Sequence, residues 1–188
     1  MNPCSVLTLP GWQNSGPLHW QSRWEAAHGY RRVEQHDWMR PLRGDWIARL
    51  EDVLLTGAQD EPVVLVAHSL GCQLVAAWAA HSKNTHRVKA ALLVAPADPE
   101  REALRPVLTS WSPVAMHRLH FASVVIGSEN DPYCSAERAN QFAEAWGADR
   151  LNAGLQGHLN ADSQLGYWPE GHAQLQKLRT QVFATLRA

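Results

Sequence analysis

More than any other segment, a short aliphatic run that ends in a tight turn restricts the folds open to this chain. Val63, Val64, Leu65 and Val66 are consecutive, and residues 67–71 that follow read Ala-His-Ser-Leu-Gly. A continuous apolar run of this kind is typical of a parallel strand that is covered on both faces. Residues 70–81 then have a helical pattern, so the sequence predicts a strand, a turn and a helix in direct succession.

Short β-rich runs alternate with longer helical patterns along the rest of the chain. Strands are predicted over residues 5–9, 31–35, 62–67, 89–95, 123–127 and 150–155, and helices over residues 43–57, 70–81, 135–146 and 172–186. This alternation indicates an α/β fold, a three-layer α/β/α sandwich with a mostly parallel sheet. The length of 188 residues favours a single domain over residues 1–188, because two domains would each bury only a small core.

Composition and charge argue against several classes of partner. Lys and Arg number 17 and Asp and Glu 18, so no basic excess indicates a nucleic acid or an anionic membrane as a partner. No apolar stretch approaches the roughly 20 residues of a membrane span, and the first ten residues lack the basic start of a signal peptide. Cys4, Cys72 and Cys134 are odd in number and far apart, so we expect neither a disulfide framework nor a zinc site, and a cytoplasmic location.

The turn at Ser69 has the pattern small-x-Ser-x-Gly. A nucleophilic serine on a strand-to-helix turn needs a strained backbone that exposes its hydroxyl, and bulky side chains two positions away would collide with the neighbouring elements. Ala67 and Gly71 are the small residues that this geometry requires. The alternative is that Ser69 only caps the helix that follows.

A serine hydroxyl needs a base to remove its proton, and in folds of this type the acid and then the histidine follow the serine along the chain. Asp131 follows the fifth predicted strand, and His158 follows the sixth. We therefore predict that His158 acts as the general base and that Asp131 orients it and stabilises the imidazolium. Asp98, at the end of the fourth strand, is the alternative acid.

The oxyanion of an acyl-transfer reaction also needs two donors. The backbone N–H groups of Leu70 and Trp12 are the candidates, because one follows the nucleophile and the other follows the first strand. His68 lies inside the turn, and its position beside the serine favours a supporting role at the pocket. His172 is expected near a helix terminus, whereas His117 and His120 could line the pocket.

Tryptophan is unusually abundant, with nine Trp against three Phe and three Tyr. Trp24, Trp46, Trp78 and Trp146 lie in helical patterns, and we expect them to pack against the sheet. Four others fall on segments near the nucleophile and are predicted, with Gly11 and His68, to form the substrate pocket: Trp12, Trp20, Trp111 and Trp168. Trp38 has no assigned role.

Five motifs together resemble a known family. They read Leu-Pro-Gly-Trp at 9–12, His-Ser-Leu-Gly at 68–71, Asn-Asp-Pro-Tyr-Cys at 130–134, Gly-His-Leu-Asn at 157–160 and Tyr-Trp-Pro-Glu-Gly at 167–171. Over nearly its whole length the chain resembles the small α/β-hydrolases of the YdeN and retinoblastoma-binding-protein-type serine hydrolase family. The resemblance implies a minimal α/β-hydrolase fold and places Ser69, Asp131 and His158 at the triad positions.

Two positions depart from the family pattern. Ala67 stands where glycine is common, and Gln164 follows Ser163 where a Ser-Gly pair is usual. Some relatives bind a pocket protein through a Leu-x-Cys-x-Glu motif, but residues 70–74 read Leu-Gly-Cys-Gln-Leu and lack the glutamate. The resemblance therefore does not support that kind of partner.

The expected function is hydrolysis of a small carboxylic ester, or of a thioester or amide, with no metal or organic cofactor. Residues 97–122 offer the only room for a lid and are too short for a cap domain, so we expect a shallow pocket for short acyl groups. Two alternatives stay open: a binding or scaffold protein that has lost turnover, and a peptidase that cleaves near an N-terminus. The sequence leaves the choice between monomer and homodimer open.

Overall fold

The computed structural model describes residues 4–58 and 61–186, which contain six strands and five α-helices, with an α-helix between successive strands everywhere except between the fourth and the fifth. The strands are β1 (Ser5–Leu9), β2 (Arg31–Arg32), β3 (Val63–His68), β4 (Val88–Val94), β5 (Ala122–Gly127) and β6 (Asp149–Asn152). The helices are α1 (Trp20–His28), α2 (Arg43–Thr56), α3 (Leu70–Ala79), α4 (Ala136–Trp146) and α5 (Pro169–Leu186). Residues 1–3, which begin the segment considered as a signal peptide, lie outside the described residues.

The strands form one sheet in the order β2-β1-β3-β4-β5-β6, and each neighbouring pair is parallel. Parallel neighbours need crossover connections, which the intervening helices and loops provide. The carboxyl ends of all six strands therefore meet at one edge of the sheet, where ligands bind in open α/β folds. The predicted α/β fold with six strands is confirmed.

The two faces of the sheet are covered by different helices. In β3, Val63, Leu65 and Ala67 belong to the core cluster that contains residues of α2, α3 and α4. The alternate residues Val64 and Val66 belong to a second cluster, with residues of α1 and α5. Because successive side chains of a strand point to opposite faces, an uninterrupted aliphatic run serves both cores. This arrangement is the predicted three-layer sandwich.

The boundaries of the edge elements differ from those expected from sequence. β2 has only two residues and β6 ends at Asn152, because both lie at the exposed edges of the sheet and carry mostly polar side chains. α5 begins at Pro169, three residues before the predicted start, since proline suits the first turn of a helix. α1, for which the sequence indicates only a helical pattern around Trp24, ends at His28, and the residue that caps it, Gly29, has a φ of 69°. Among the described residues, no helix is long and apolar enough to cross a membrane.

Candidate active site

Ser69 lies on a strained turn between β3 and α3. Its φ of 57° and ψ of −121° are unfavourable for a residue with a side chain, and its N–H donates to the carbonyl of Val94 at 3.0 Å. A Cβ on Gly71 would lie 2.2 Å from the carbonyl oxygen of Leu9, so only glycine fits where α3 passes β1. The Ser69 hydroxyl makes no capping bond to α3, and the helix-cap alternative is therefore wrong.

Three predicted side chains form a continuous hydrogen-bonded chain. The Oγ of Ser69 lies 2.8 Å from Nε2 of His158, and Nδ1 of His158 lies 2.9 Å from each carboxylate oxygen of Asp131. Asp131 also accepts the backbone N–H of Tyr133 at 2.8 Å. With the carboxylate facing Nδ1, the neutral imidazole carries its proton there, and Nε2 can accept the serine proton.

The segment that carries His158 is held by two buried donors from distant parts of the chain. Nε2 of His68 donates to the carbonyl of His158 at 2.9 Å, and the indole N–H of Trp20 donates to the carbonyl of Leu159 at 2.8 Å. Leu159 itself has a φ of 48°. These bonds fix a backbone that a non-glycine residue adopts at a cost, and so they set the direction of the His158 ring.

Two further histidine rings form a row that leads to His158, with each ring tilted or edge-on to the next. The ring centroids of His19 and His68 are 4.6 Å apart, and those of His68 and His158 are 4.9 Å apart. Burial, with contributions from nearby His158 and Arg32, lowers the pKa of His19 to about 3. Burial, followed by the neighbouring His19 and His158, holds the pKa of His68 well below its usual value. Both rings are therefore neutral near pH 7.

The two predicted oxyanion donors belong to the residues that follow Gly11 and Ser69, namely Trp12 and Leu70. In the part of the chain that is described, neither the backbone N–H of Trp12 nor that of Leu70 donates to a protein acceptor. A Cβ on Gly11 would lie 3.1 Å from the nitrogen of Leu70 and 3.1 Å from Oγ of Ser69. The bare backbone of Gly11 therefore leaves the space beside the nucleophile open.

A cavity of about 410 Å³ opens above Ser69 and has two chemically different walls. Trp12, Leu70, His68 and His158 line it close to the nucleophile. The polar wall consists of Gln13, Asn14, His19 and Asn160, and the apolar wall of Ala97, Leu104, Leu108 and Tyr133. Residues 97–122, considered as a lid, thus contribute three apolar side chains to the wall. No role is predicted from sequence for Asn14 or His19, whose loop has no motif, or for Asn160, although it ends the Gly-His-Leu-Asn motif at 157–160.

Three of the predicted pocket tryptophans lie in the core instead, and that part of the prediction is wrong. Trp20 and Trp168 pack with Trp24 in the core on the face of the sheet that α1 and α5 cover. Trp111 packs edge-on against Trp46 on the other face of the sheet. None of the three lines the cavity, and each is at most 6% exposed. Gly11 lies under Ser69 and is likewise absent from the cavity wall, whereas Trp12 and His68 do line it.

The alternative acid and the three other histidines considered from sequence lie away from the triad. Asp98 forms an ion pair with Arg138 at 3.4 Å. His172 stacks on His28 and lies 2.9 Å from the hydroxyl of Tyr30, and the exposed His117 and His120 are not part of the cavity wall. Among residues 4–58 and 61–186, no group of three or more His, Cys, Asp or Glu side chains could hold a metal ion.

The parallel sheet, the strained serine turn and the acid and histidine loops at the same sheet edge define a minimal α/β-hydrolase fold. The model of the family described as Serine hydrolase matches residues 6–177, and the chain belongs to this family. It is therefore a hydrolase, and the resemblance seen in the five sequence motifs is confirmed.

Solved structures agree with this assignment. A protein described as a YdeN-like hydrolase from Pectobacterium atrosepticum is 26% identical, with a TM-score of 0.82 over 95% of this chain and 92% of its own. The ydeN gene product of Bacillus subtilis is 19% identical, with a TM-score of 0.70 over 95% and 100%. The carboxylesterase CesB from Bacillus subtilis shares the fold at 15% identity, with a TM-score of 0.60 over 94% and 83%. No curated protein sequence matches the chain.

Proposed function

We propose that the protein hydrolyses a small carboxylic ester through a covalent acyl-enzyme on Ser69. The observation that carries the proposal is the chain of short contacts from Oγ of Ser69 through His158 to Asp131, at 2.8 and 2.9 Å. This is the relation between nucleophile, base and orienting acid that acyl transfer requires. Both Asp131 and His158 are buried, which strengthens the interaction between them.

In the first half of the reaction, Oγ of Ser69 attacks the ester carbonyl carbon while its proton passes to Nε2 of His158. The carbonyl π electrons move to the oxygen, which becomes an oxyanion between the N–H groups of Trp12 and Leu70. Donors that are already in place stabilise this charge without reorganisation. The carboxylate of Asp131 stabilises the imidazolium that forms on His158.

The tetrahedral intermediate then collapses. The bond to the alcohol breaks, and His158 donates its proton to the departing alkoxide, which leaves the acyl group on Ser69. In the second half, His158 removes a proton from water, the resulting hydroxide attacks the acyl carbon, and the proton returns to Oγ of Ser69 as the acid departs. In each half of the reaction His158 accepts one proton and donates it again, and no electrons are gained or lost overall. The reaction as written therefore uses no cofactor.

The size and chemistry of the cavity favour a short substrate. Leu104 and Leu108 are among its apolar lining residues, and its volume is about 410 Å³. Two proteins of similar fold are named as a carboxylesterase and an esterase, which makes carboxylic esters the first substrates to test. The second candidate function is that of a binding protein without turnover. In that case Ser69 would still react with a probe, but the protein would release no hydrolysis product.

A panel of p-nitrophenyl esters from acetate to octanoate tests the proposal. We expect the purified protein to hydrolyse the short members, with kcat/KM falling toward octanoate, and Ser69→Ala to reduce kcat by about 10⁴-fold or more. An aminoacyl-amide panel run beside it separates ester from peptide-bond cleavage. Ester hydrolysis that survives Ser69→Ala would refute the mechanism, and labelling of Ser69 without hydrolysis of any member would favour the binding protein.

A further inference from the structure

The cavity above Ser69 carries no formal charge on its described walls apart from what His158 acquires. None of its lining residues is Asp, Glu, Lys or Arg, and the only titratable side chains among them are three histidines and Tyr133. Burial keeps His19 and His68 neutral near pH 7. A charged substrate group that enters this cavity would lose water without gaining a counter-charge, which is strongly unfavourable.

Asn14 presents its amide in one fixed direction. Its Oδ1 accepts the N–H of Ser15 at 2.8 Å and a guanidinium N–H of Arg32 at 2.9 Å. The amide nitrogen, Nδ2, lies on the other side of the same carboxamide and has no protein acceptor in the described part of the chain. Asn14 is among the residues that line the cavity, and the two hydrogens of its Nδ2 are not used within the described part of the chain.

Arg32 prevents the Asn14 amide from flipping by 180°, which would exchange the positions of its oxygen and its nitrogen. Its guanidinium pairs with the Glu25 carboxylate through two bonds of 3.0 and 2.8 Å, and it also binds the Ser15 carbonyl at 3.0 Å. A flipped amide would place its NH₂ group against these cationic N–H donors, with no acceptor between them. The Arg32 and Glu25 side chains are 14% and 19% exposed, so the pair is held inside the protein. The Asn14 donors are therefore oriented before any substrate binds.

We propose that Asn14 is a substrate-binding residue whose Nδ2 donates a hydrogen bond to an uncharged acceptor oxygen outside the scissile ester group. The substrate class is thus an uncharged ester that carries an ether, hydroxyl or carbonyl oxygen in its acyl or alcohol part. This inference rests on the proposed ester hydrolysis at Ser69 and adds the group that the polar wall recognises.

Two substitutions at position 14 test the inference and are compatible with the backbone conformation there. Asn14 has a φ of 67°, a conformation that aspartate and glycine also tolerate. Asn14→Gly removes the donors, and Asn14→Asp replaces them with an acceptor of the same shape and a negative charge. Comparison with the isosteric Asp variant keeps the test valid if the glycine variant unfolds.

The substrates are matched in length. p-Nitrophenyl methoxyacetate is compared with the butyrate, and 2-methoxyethyl butyrate with butyl butyrate, so that an ether oxygen replaces one methylene in the acyl or the alcohol part. We expect the ether-to-alkyl ratio of kcat/KM to fall about 3- to 10-fold in Asn14→Gly, and at least as far in Asn14→Asp, for one of the two pairs. Ratios within each pair cancel the intrinsic reactivity of the esters when variants are compared with the wild type.

A cationic ester gives an independent result. The p-nitrophenyl ester of β-alanine has an ammonium group where butyrate has its methyl group, and we expect its kcat/KM relative to butyrate to rise about tenfold in Asn14→Asp. Leu18→Asp is the control, because Leu18 is 67% exposed on the same loop and is not part of the cavity wall. An equal rise in the control would overturn the inference, since a general field would then explain it.

Failure of this inference and failure of the proposed function give different results. Unchanged ether-to-alkyl ratios for both pairs in active Asn14→Gly and Asn14→Asp enzymes would overturn the role of Asn14 and leave ester hydrolysis intact. A folded wild-type protein that hydrolyses none of these esters would instead contradict the proposed function, and the inference with it.

Discussion

At the scale of single residues, tryptophan connects distant segments of this protein. Trp20, Trp111 and Trp146 each bury their ring and donate their indole N–H to a backbone carbonyl outside the regular elements, at 2.8, 2.7 and 2.8 Å. The acceptors belong to Leu159, Pro41 and Ala115. One side chain thus fills the core and also forms a hydrogen bond with the backbone of another segment.

This dual use explains why the tryptophans were misplaced in the sequence-based pocket. Composition and spacing show that a tryptophan lies near a catalytic loop, but both a pocket wall and a buried anchor for that loop meet this description. Only the position of the acceptor carbonyl separates the two, and it depends on tertiary contacts such as that between Trp20 and Leu159, which are 139 residues apart.

Trp20→Phe tests the anchoring role of one such side chain. The substitution removes the N–H that holds the carbonyl next to His158 while keeping most of the buried ring. We expect about a tenfold loss of ester kcat/KM together with a destabilisation of about 1–3 kcal/mol, because an unpaired carbonyl is left in the core. Ester kinetics and urea unfolding of the same preparation measure the two effects.

Trp24→Phe is the matched control. Trp24 belongs to the same cluster, is equally buried, and donates to the carbonyl of Tyr167 at 2.6 Å, which is not next to a triad residue. It should lose stability by a similar amount and retain its kcat/KM. Equal losses of activity in the two variants would show that Trp20 acts only through stability.

At the scale of elements, what could be predicted follows from burial. β1, β3, β4 and β5 are predicted to within one residue at either end, because a strand covered on both faces needs an uninterrupted apolar run that stands out in sequence. The edge strands β2 and β6 are shorter than expected, since their polar sequences contain no signal that marks where pairing stops.

Loops at the carboxyl ends of the strands show the same contrast. The order of Ser69, Asp131 and His158 was predictable because each follows a recognisable strand, and the structure brings the three side chains together. The polar wall was not predictable, because the direction of Asn14 is set by Arg32 on another element. Gln164, where the family pattern has glycine, has a φ of 52°, which explains why glycine is common there.

At the scale of the whole molecule, buried neutral histidines make stability depend on pH. The pKa of His19 is about 3 in the folded protein, against about 6.5 when exposed, and burial lowers the pKa of His68 in the same direction. Below about pH 6.5 the unfolded chain therefore binds protons at these two sites that the folded chain does not, and for His19 this difference persists down to about pH 3. The contribution of these two histidines to the free energy of unfolding is therefore complete above pH 6.5 and decreases as the pH falls.

We expect the free energy of unfolding to fall between pH 6.5 and pH 5 by up to about 1.4 kcal/mol per pH unit for each of the two histidines. His19→Asn should reduce this slope by about half, because asparagine can still cap α1 and does not titrate. Urea unfolding at pH 7.5, 6.5 and 5.5 measures the slope. A wild-type stability that is constant over this range would contradict the prediction, as would an unchanged slope in the variant.

The function of the whole molecule depends on one claim, that the sheet and its loops present Ser69 as an activated nucleophile. Intact-mass measurement after treatment with a fluorophosphonate probe tests this claim most directly, because the probe reacts with an activated serine and requires no knowledge of the substrate. We predict one adduct per chain on the wild type, none on Ser69→Ala, and much slower labelling of His158→Gln. A folded wild-type protein that gains no adduct, or an adduct that persists in Ser69→Ala, would contradict the claim.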